Sequence, residues 1–373
     1  MATTSQLLPN GWDGLAGDHF YSSAAWLRLC DSWPGRSITP VTRHAGGRLR
    51  SAVPTARHDD AAPSFYQWNT LLETYGLPQL QPTGVVVGPD QGYQSHFLVA
   101  DGEDAVAEIA GLVDVLRAEQ GDPAERACVA MYLTTAGVRG AQSAGVRTPP
   151  VLLEPDAWFD VPPGGWDGWL ATLTSKRRVS IRREVAMFTE AGYQIEHLPL
   201  SQCYEQLAAL AASTQGKYGH ATQPDQFRGS FERQVKVMGD RAQVSLCLLD
   251  GRPVGFCLYY LHHAQLYLRW AGFIYDELQG AAEYFNLVYY DHFRRSERTG
   301  IRRIHAGIKA VEAKALRGAR LQPLWLLDLS EVSPLQREAG AVRGHNARVL
   351  ARLGADRRTA AALGDLADWH VST

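Results

Sequence analysis

The chain has 373 residues, of which 45% are hydrophobic and 20% are charged, and its formal net charge at pH 7 is −2. This length exceeds what one ordinary core holds and predicts two domains. The near-neutral charge excludes a surface that is basic throughout, so a polyanion site would have to be a local patch. The five cysteines are scattered without a CxxC spacing, and the histidines show no ligand spacing. We therefore expect reduced thiols and no metal site.

Several protein classes are excluded by signals that the sequence lacks. The first twenty residues have neither the basic segment nor the apolar core of a signal peptide, and no apolar run reaches the length of a membrane helix. We therefore expect a cytoplasmic protein without a membrane partner. The motifs GxSxG, GxxxxGK[ST] and GxGxxG after a strand are absent, which argues against hydrolase, ATP-dependent ligase and nicotinamide chemistry.

The N-terminal half predicts, in chain order, a helix, a hairpin, a long loop, a helix and a buried strand, over residues 20–32, 38–58, 62–98, 103–119 and 127–133. Ser22 or Ser23 would cap the first helix, and the hairpin would turn at residues 45–47. A proline-rich segment follows, and we place the domain boundary there, near residue 150. The predicted domains are thus 1–150 and 151–373.

The C-terminal half predicts helices that alternate with an antiparallel meander. One or two helices over 165–192 precede a strand, two helices separated by the polar link 214–223, and a three-strand meander over 242–273. A helix of about 281–298 and a short strand follow, and Ser333-Pro334 begins a C-terminal helix. Helices mixed with an antiparallel meander predict α+β domains.

The segment from Gln265 to Trp325 carries the strongest indication of function. A β-rich run, a turn, a helix and a short strand lead there into a basic loop that contains Glu312, Lys314 and Arg317. This order suggests that a helix N-terminus and a cationic loop face one cleft. Such a cleft would suit the binding of an acyl donor beside an amine.

Two segments resemble the Gcn5-related N-acetyltransferase (GNAT) superfamily, and more specifically its Fem-type branch, often labelled peptidoglycan biosynthesis or recognition proteins. Residues 170–192 are similar to the family's basic helix, and residues 266–323 to its tyrosine-rich helix and E-x-K-x-x-R-G-x-x-P loop. The resemblance implies two tandem GNAT-like domains, each with a mixed, mainly antiparallel sheet flanked by helices. It also implies an acyltransferase whose donor site lies in the C-terminal domain.

The resemblance leaves two donors open, acyl-coenzyme A and aminoacyl-tRNA. GNAT enzymes bind the coenzyme pyrophosphate with an Arg/Gln-x-x-Gly-x-Gly/Ala loop at a helix N-terminus, where free N–H groups favour anions. The corresponding loop here is 277–282. Gly280 fits the pattern as a phosphate-binding position, whereas Glu277 introduces a charge that would repel the pyrophosphate.

Basic residues point to tRNA instead. If two cationic sets faced one groove, they could hold the phosphates of a tRNA acceptor end. The first set comprises Lys176, Arg177, Arg178, Arg182 and Arg183, and the second Arg302, Arg303, Lys309, Lys314, Arg317 and Arg320. The alternative is a solvated face that forms salt bridges with Glu184, Glu190, Glu297 and Glu312.

Candidate catalytic and substrate residues follow from the chemistry of amide formation. Lys314, as an exposed loop cation, and Arg317 would bind donor phosphate or the developing oxyanion. A base would accept the proton of the amine, and the candidates are Glu283, Glu312 and His305. The acceptor pocket would be lined by Tyr260, Arg269, Trp270, Tyr289 and Tyr290, with Lys217 and His220 reaching it from the polar link. For each aromatic residue, core packing is the alternative.

Three functions therefore remain open. The first is transfer of an aminoacyl group from aminoacyl-tRNA to an amine of a small molecule or peptide, in natural-product or cell-wall biosynthesis. The second is an acyl-coenzyme A-dependent N-acyltransferase of the same fold, and the third a non-catalytic GNAT-like binding module. In the first two cases the donor is a co-substrate, and we expect no tightly bound cofactor and no DNA partner.

Overall fold

The computed structural model describes residues 8–59, 62–217, 219 and 223–371. The chain forms two compact units, Met1–Asp156 with Leu321–Thr373, and Ala157–Arg320. This division differs from the predicted 1–150 and 151–373. The reason is that strand Arg320–Asp328 pairs antiparallel with Ala127–Thr134, which brings the end of the chain into the first unit.

The first unit contains a mixed sheet flanked by helices. Its strands lie in the order Ile38–Ala45, Arg48–His58, Gly84–Val87, Ala127–Thr134, Arg320–Asp328 and Val151–Asp160, with Leu98–Val99 paired to Arg48–His58. Gly84–Val87 and Ala127–Thr134 are parallel. The helices are Trp12–Ala16, Ala24–Asp31, Trp68–Tyr75, Ala105–Gln120, Thr135–Ser143, Pro334–Arg337, Ala339–Ala355 and Arg357–Ala362, with 3₁₀ turns at Phe20–Ser22, Ser64–Tyr66 and Leu366–Asp368.

Most predicted elements of this unit are confirmed, but the long loop over 62–98 is not. The first helix begins after Ser23, whose hydroxyl accepts a hydrogen bond from the amide of Trp26 at 3.3 Å. Within the supposed loop lie helix Trp68–Tyr75 and the fully buried strand Gly84–Val87. Burial of Trp68 against the core stabilises that helix. The prediction of a loop was based on the proline, glycine and aromatic content of residues 62–98, which gives no sign of this burial.

The second unit also has a mixed, mainly antiparallel sheet between helices, so the predicted α+β class is confirmed. Residues 157–160, the end of strand Val151–Asp160, belong to this unit and pair with Arg303–Gly307. The further strands lie in the order Gln265–Phe273, Arg252–His262, Ala242–Leu249 and Gln194–Pro199. Only Gln265–Phe273 and Arg303–Gly307 run parallel among the pairs described here. The helices are Gly165–Ala171, Ser175–Glu190, Leu200–Lys217, Pro224–Met238, Glu283–Phe285, Asp291–Thr299 and Val311–Ala315, with 3₁₀ turns at Gly239–Arg241 and Tyr275–Glu277 and a π-helical turn at Asn286–Tyr290.

The alternation of side chains along the strands separates two faces of the second sheet. Tyr260, Tyr267 and His305 are register partners and share one face. Tyr259 lies on the opposite face, where its ring is 4.7 Å from that of His292. The chain from 283 to 299 therefore covers that opposite face.

Candidate functional site

The candidate site lies at the carboxyl ends of the two parallel strands of the second unit. Strands Gln265–Phe273 and Arg303–Gly307 pair from Gln265 and Arg303 to Tyr267 and His305. Beyond that point the first strand carries a register shift between Leu268 and Trp270. The carboxyl ends of parallel strands are a common location for ligand sites, and here they lead into two strained connections.

The first connection is a turn in which successive residues adopt left-handed backbone angles. Gly307, Lys309 and Ala310 have φ of 70°, 68° and 47°. Such angles cost about 1–2 kcal/mol for a non-glycine residue and concentrate at functional sites. The ammonium of Lys314 donates to the carbonyls of Gly307 at 2.8 Å and Ile308 at 2.9 Å, so Lys314 stabilises this turn.

The expectation that Lys314 is an exposed loop cation is wrong. Lys314 is only 4% exposed, and it lies in the short helix Val311–Ala315. Its three donors can satisfy carbonyls that the turn leaves without helix or sheet partners. Glu312, on the same helix, is exposed.

Arg317 is buried and forms a polar network with two other elements. Its Nε donates to the hydroxyl of Tyr290 at 2.8 Å, and its Nη2 donates to Glu184 at 3.2 Å. The guanidinium lies 3.1 Å from the ring centroid of Phe285, while the Tyr290 hydroxyl donates to Glu184. Burial would raise the pKa of Glu184, but the hydrogen bond from Tyr290 and the charges of Arg317 and Arg177 lower it overall.

The second connection is the loop 277–282, which corresponds in sequence to the pyrophosphate-binding loop of the GNAT pattern. Gly280 and Ala282 have φ of 73° and 57°. The buried carboxylate of Glu283 accepts hydrogen bonds from the amide of Gln279 and from the hydroxyl of Tyr193, both at 2.9 Å. The carboxylate of Glu283 therefore accepts the hydrogen bond of a loop N–H group, that of Gln279, which an external anion would need.

Glu277 adds a second acidic group to this loop. Its carboxylate lies 3.2 Å from Nη2 of Arg252. The pairing explains how the chain carries an acidic residue at the position where the GNAT pattern has Arg or Gln. The same pairing neutralises Arg252, a cation close to the loop that could otherwise attract phosphate.

Helix Ser175–Glu190 presents the predicted basic residues beside this loop. The expected apolar stripe is confirmed, since Ile181, Val185 and Phe188 are buried. Three cations on the helix are exposed, namely Lys176, Arg182 and Arg183. The helix approaches the loop where the side-chain amide of Asn286 donates to the carbonyls of Glu184 at 3.0 Å and Ala282 at 3.1 Å.

The other two cations of this helix bind protein groups. Arg177 lies 3.4 Å from Glu184, which matches the alternative of a salt-bridged face at this position. Arg178 donates to the carbonyl of Leu173 at 2.6 Å. The five basic residues thus divide into two that hold the helix in place and three that face solvent.

The predicted acceptor-pocket residues do not gather around one opening. Tyr289 and Tyr290 are buried in the π-helical turn, a feature that often marks functional sites. On the other face of the sheet, buried Tyr260 donates to Gln234. Half-buried Trp270 packs against rings of the helix Pro224–Met238.

The remaining candidates differ in accessibility. His305 is fully buried, with its ring 4.7 Å from Trp158, so a direct role as base would need substrate inside the core. Arg269 is half-buried at the register shift of its strand. Lys217 lies with its ammonium 3.4 Å from the ring centroid of Tyr275, and His220 falls outside the described residues.

A histidine cluster on the second unit was not predicted. Nε2 of His197 lies 2.7 Å from the carboxylate of Asp291, and its Nδ1 lies 3.1 Å from the hydroxyl of Ser245. Ser245 is completely buried, so it cannot act as a nucleophile toward a bound substrate. Pairing of the two strands places His197 and Ser245 on one face. Their proximity to Asp291, which lies on a helix, has no local signal in the sequence.

The described part of the chain lacks a grouping of three or more His, Cys, Asp or Glu side chains suited to a metal ion. Within the same residues, none of the helices combines the length and the apolar character needed to cross a membrane.

Comparison with known proteins identifies the family. The family model FemAB-like, described as peptidoglycan biosynthesis/recognition, matches residues 66–331. A crystal structure of FemX superimposes with a TM-score of 0.61 at 12% identity, covering 90% of this chain and 98% of that one. L-PGS from Bacillus licheniformis gives 0.54 at 10% identity, with coverage of 88% and 96%. At these identities the superpositions show the fold alone.

A third structure has the same fold. The C-terminal domain of a putative lysylphosphatidylglycerol synthetase from Agrobacterium fabrum gives a TM-score of 0.50 at 12% identity, covering 88% of this chain and 92% of that one. No curated protein matches the sequence. The family match confirms the predicted Fem-type resemblance. The chain belongs to the FemAB-like family, described as peptidoglycan biosynthesis/recognition.

Proposed function

We propose that the chain is an aminoacyltransferase that takes its aminoacyl group from aminoacyl-tRNA in the cytoplasm. The acceptor would be an amine of a small molecule or a peptide, in cell-wall or natural-product biosynthesis. The observation that carries the proposal is the position of Glu283, whose carboxylate accepts the Gln279 amide at 2.9 Å. It fills the loop where an acyl-coenzyme A enzyme binds pyrophosphate.

Electrostatics disfavour coenzyme A at this loop. A pyrophosphate would meet the carboxylate of Glu283 on the loop amide and that of Glu277 nearby. Like charges at short range oppose binding strongly in a partly buried site. The acidic loop instead stabilises the start of its own helix, because carboxylates are favourable at helix N-termini.

Electrostatics favour an RNA donor on helix Ser175–Glu190. Lys176, Arg182 and Arg183 are exposed on this helix, in a protein whose net charge is −2. A local cationic face on a near-neutral protein binds a polyanion through phosphate contacts and counterion release.

The reaction needs only positioning and proton transfer. The acceptor amine attacks the carbonyl carbon of the aminoacyl ester, a C–N bond forms, and the C–O bond to the terminal ribose breaks. The proton leaves the amine for a base and then reaches the released ribose oxygen. We assign the base to Glu312, because it is exposed while Glu283 is bound to the loop and His305 is buried.

The salt dependence of binding tests the donor assignment. Affinity for charged bulk tRNA should fall roughly ten-fold or more between about 50 and 200 mM salt if three cations contact phosphates. The double variant Arg182→Ala, Arg183→Ala should reduce the slope of log affinity against log salt by about 1.5. An unchanged slope would assign both arginines to a solvated face.

A matched variant controls for the loss of charge. Lys236→Ala with Arg241→Ala also removes two exposed cations from the second unit, but it leaves the helix Ser175–Glu190 unchanged. The slope should then remain that of the unmodified protein. For the base, Glu312→Gln should lower turnover roughly 100-fold or more at unchanged tRNA affinity, and full activity would remove Glu312 from that role.

A further inference from the structure

An aromatic row lies along the loop that precedes the helix at Glu283. The rings of Tyr275, Phe273, Tyr284 and Tyr289 are neighbours in that order, with centroid separations of 6.1, 6.1 and 5.9 Å. Tyr284 is 43% exposed, which is unusual for a large aromatic side chain. Phe273 and Tyr289 are buried beneath it, so the row presents the ring of Tyr284 to solvent.

The exposed ring is held in place from below. The ring of Tyr284 packs edge-on against that of Tyr289 at 5.9 Å, and Tyr289 is itself buried in the π-helical turn. Phe273 supports the ring from the adjacent strand end. A ring fixed in this way loses little conformational entropy when a flat partner stacks on it.

Cations accompany the row. The ammonium of Lys217 lies 3.4 Å from the ring centroid of Tyr275 at one end. The helix with the exposed Arg183 contacts the first turn after Tyr284 through the bond between Asn286 and the carbonyl of Glu184. Aromatic rings interleaved with cations form the usual surface for single-stranded nucleic acid, on which bases stack while phosphates meet positive charge.

We infer that Tyr284, supported by Phe273 and Tyr289, is a stacking platform for the unpaired 3′ end of the donor tRNA, with the terminal adenine on the Tyr284 ring. The inference rests on the proposed tRNA-dependent function and adds how the end that carries the aminoacyl group is oriented. Stacking of a base on an aromatic ring is tolerant of base identity. The platform therefore positions the ester without selecting the amino acid.

The test uses the full chain and two RNA minihelices, one ending in single-stranded ACCA and one in ACC. Tyr284→Leu should weaken binding of the ACCA minihelix roughly five- to hundred-fold, the range for one stacked base. Tyr284→Phe keeps the ring face and should bind within about two-fold of the unmodified protein. Tyr204→Leu, a tyrosine change on helix Leu200–Lys217, is the matched control.

Removal of the terminal adenosine from the RNA and removal of the Tyr284 ring from the protein should not have additive effects on the binding free energy. The ACC minihelix should bind the unmodified protein about as weakly as ACCA binds Tyr284→Leu, and should bind both proteins alike. The salt slope should be the same for Tyr284→Leu as for the unmodified protein, because no phosphate contact is lost.

Two results would overturn the inference and can be told apart. If Tyr284→Leu and the unmodified protein bind ACCA equally, the platform is absent while tRNA binding stands. If the unmodified protein binds neither minihelix nor charged tRNA, the proposed donor fails and the platform fails with it. Normal binding by Tyr284→Phe shows that the ring face and not the hydroxyl makes the contact, and an unchanged thermal unfolding midpoint for Tyr284→Leu shows that its loss of binding does not come from misfolding.

Discussion

The carboxylate of Glu283 and the backbone amide of Gln279 form a hydrogen bond of 2.9 Å across the loop that begins the tyrosine-rich helix. The bond occupies, within the protein, an N–H group at the start of a helix, the kind of group that can otherwise bind an anion. A single acidic side chain thereby stabilises the loop, and in the proposed function it also disfavours an anionic coenzyme there.

Glu283→Ala should lower the free energy of unfolding by about 1–3 kcal/mol, because the Tyr193 hydroxyl loses a buried acceptor and the Gln279 amide keeps only the Tyr193 hydroxyl as a partner. Tyr193→Phe, which removes a second hydrogen bond to the same carboxylate, should cost about 1 kcal/mol. Urea denaturation of the single and double variants measures both effects. The double variant should lose less than the sum, and strict additivity would show that the two bonds are independent.

Lys314→Met should destabilise the protein and also reduce turnover. The change removes charge-assisted bonds to the carbonyls of Gly307 and Ile308, each worth about 1.5–3 kcal/mol. Without them the left-handed turn at Lys309 and Ala310 would relax. Chemical denaturation should show the loss, whereas Glu312→Gln on the same helix should unfold like the unmodified protein.

If Lys314→Met kept full stability, the two carbonyl contacts would be energetically negligible. A variant of normal stability and greatly reduced turnover would instead support the sequence-based prediction that Lys314 binds the donor or the oxyanion. Comparison of melting temperature with turnover therefore separates a positioning role from a direct one.

Arg317→Met should lower the free energy of unfolding by about 2–3 kcal/mol, because Tyr290 and Glu184 lose a charged partner. Arg317→Lys should recover only part of this loss, since an ammonium cannot reproduce the guanidinium fork. A double-mutant cycle with Glu184→Gln should show a coupling of about 1–3 kcal/mol.

Arg320→Met provides the comparison for the Arg317 variants. Arg320 forms an exposed ion pair with Asp160 at 3.1 Å, and such pairs contribute about 0–1 kcal/mol. Its replacement should therefore leave unfolding almost unchanged. Equal losses for the two arginines would contradict the assignment of Arg317 to a buried network.

His292 predicts a pH dependence of stability. Burial lowers the pKa of His292 to about 3 from 6.5, with Asp291, His197 and Arg295 as the charged neighbours. Nε2 of this side chain makes no hydrogen bond within the described residues. The unfolded chain binds the proton more readily, so stability is fully present above pH 6.5 and falls as the pH drops toward 3.

Well below pH 6.5, the free energy of unfolding should fall by about 1.4 kcal/mol for each unit by which the pH drops. His292→Leu removes the titrating group, so its stability between about pH 4 and 6.5 should fall less steeply than that of the unmodified protein. Denaturant midpoints at several pH values measure both curves. Parallel curves would show that other groups, such as the His197–Asp291 pair, account for the pH dependence.

The sequence predicted the fold class and most helices and strands because amphipathic periodicity and turn residues are local signals. The buried stripe of Ile181, Val185 and Phe188 is an example. The helix Trp68–Tyr75 was missed because its burial depends on contacts far along the chain. The predicted domain limits differ from the compact units for the same reason, since pairing of Trp325 with Leu133 is non-local.

Side-chain roles were less accessible to prediction. Residue type and spacing marked Lys314 and Arg317, but the partners that bury them, Gly307 and Glu184, follow only from the folded contacts. The link between Tyr193 and Glu283 spans 90 positions. Whether a cation is exposed or satisfied within the protein depends on tertiary structure, so composition could not separate Arg182 from Arg178.

The most direct test of the account compares two donors on the purified full chain at low and moderate salt. We expect charged bulk tRNA to bind with an affinity that falls steeply as salt rises, and acetyl-coenzyme A to give neither binding nor a thermal shift. Binding of acetyl-coenzyme A without binding of charged tRNA would contradict the account. It would mean that the loop accepts a pyrophosphate despite the carboxylate of Glu283.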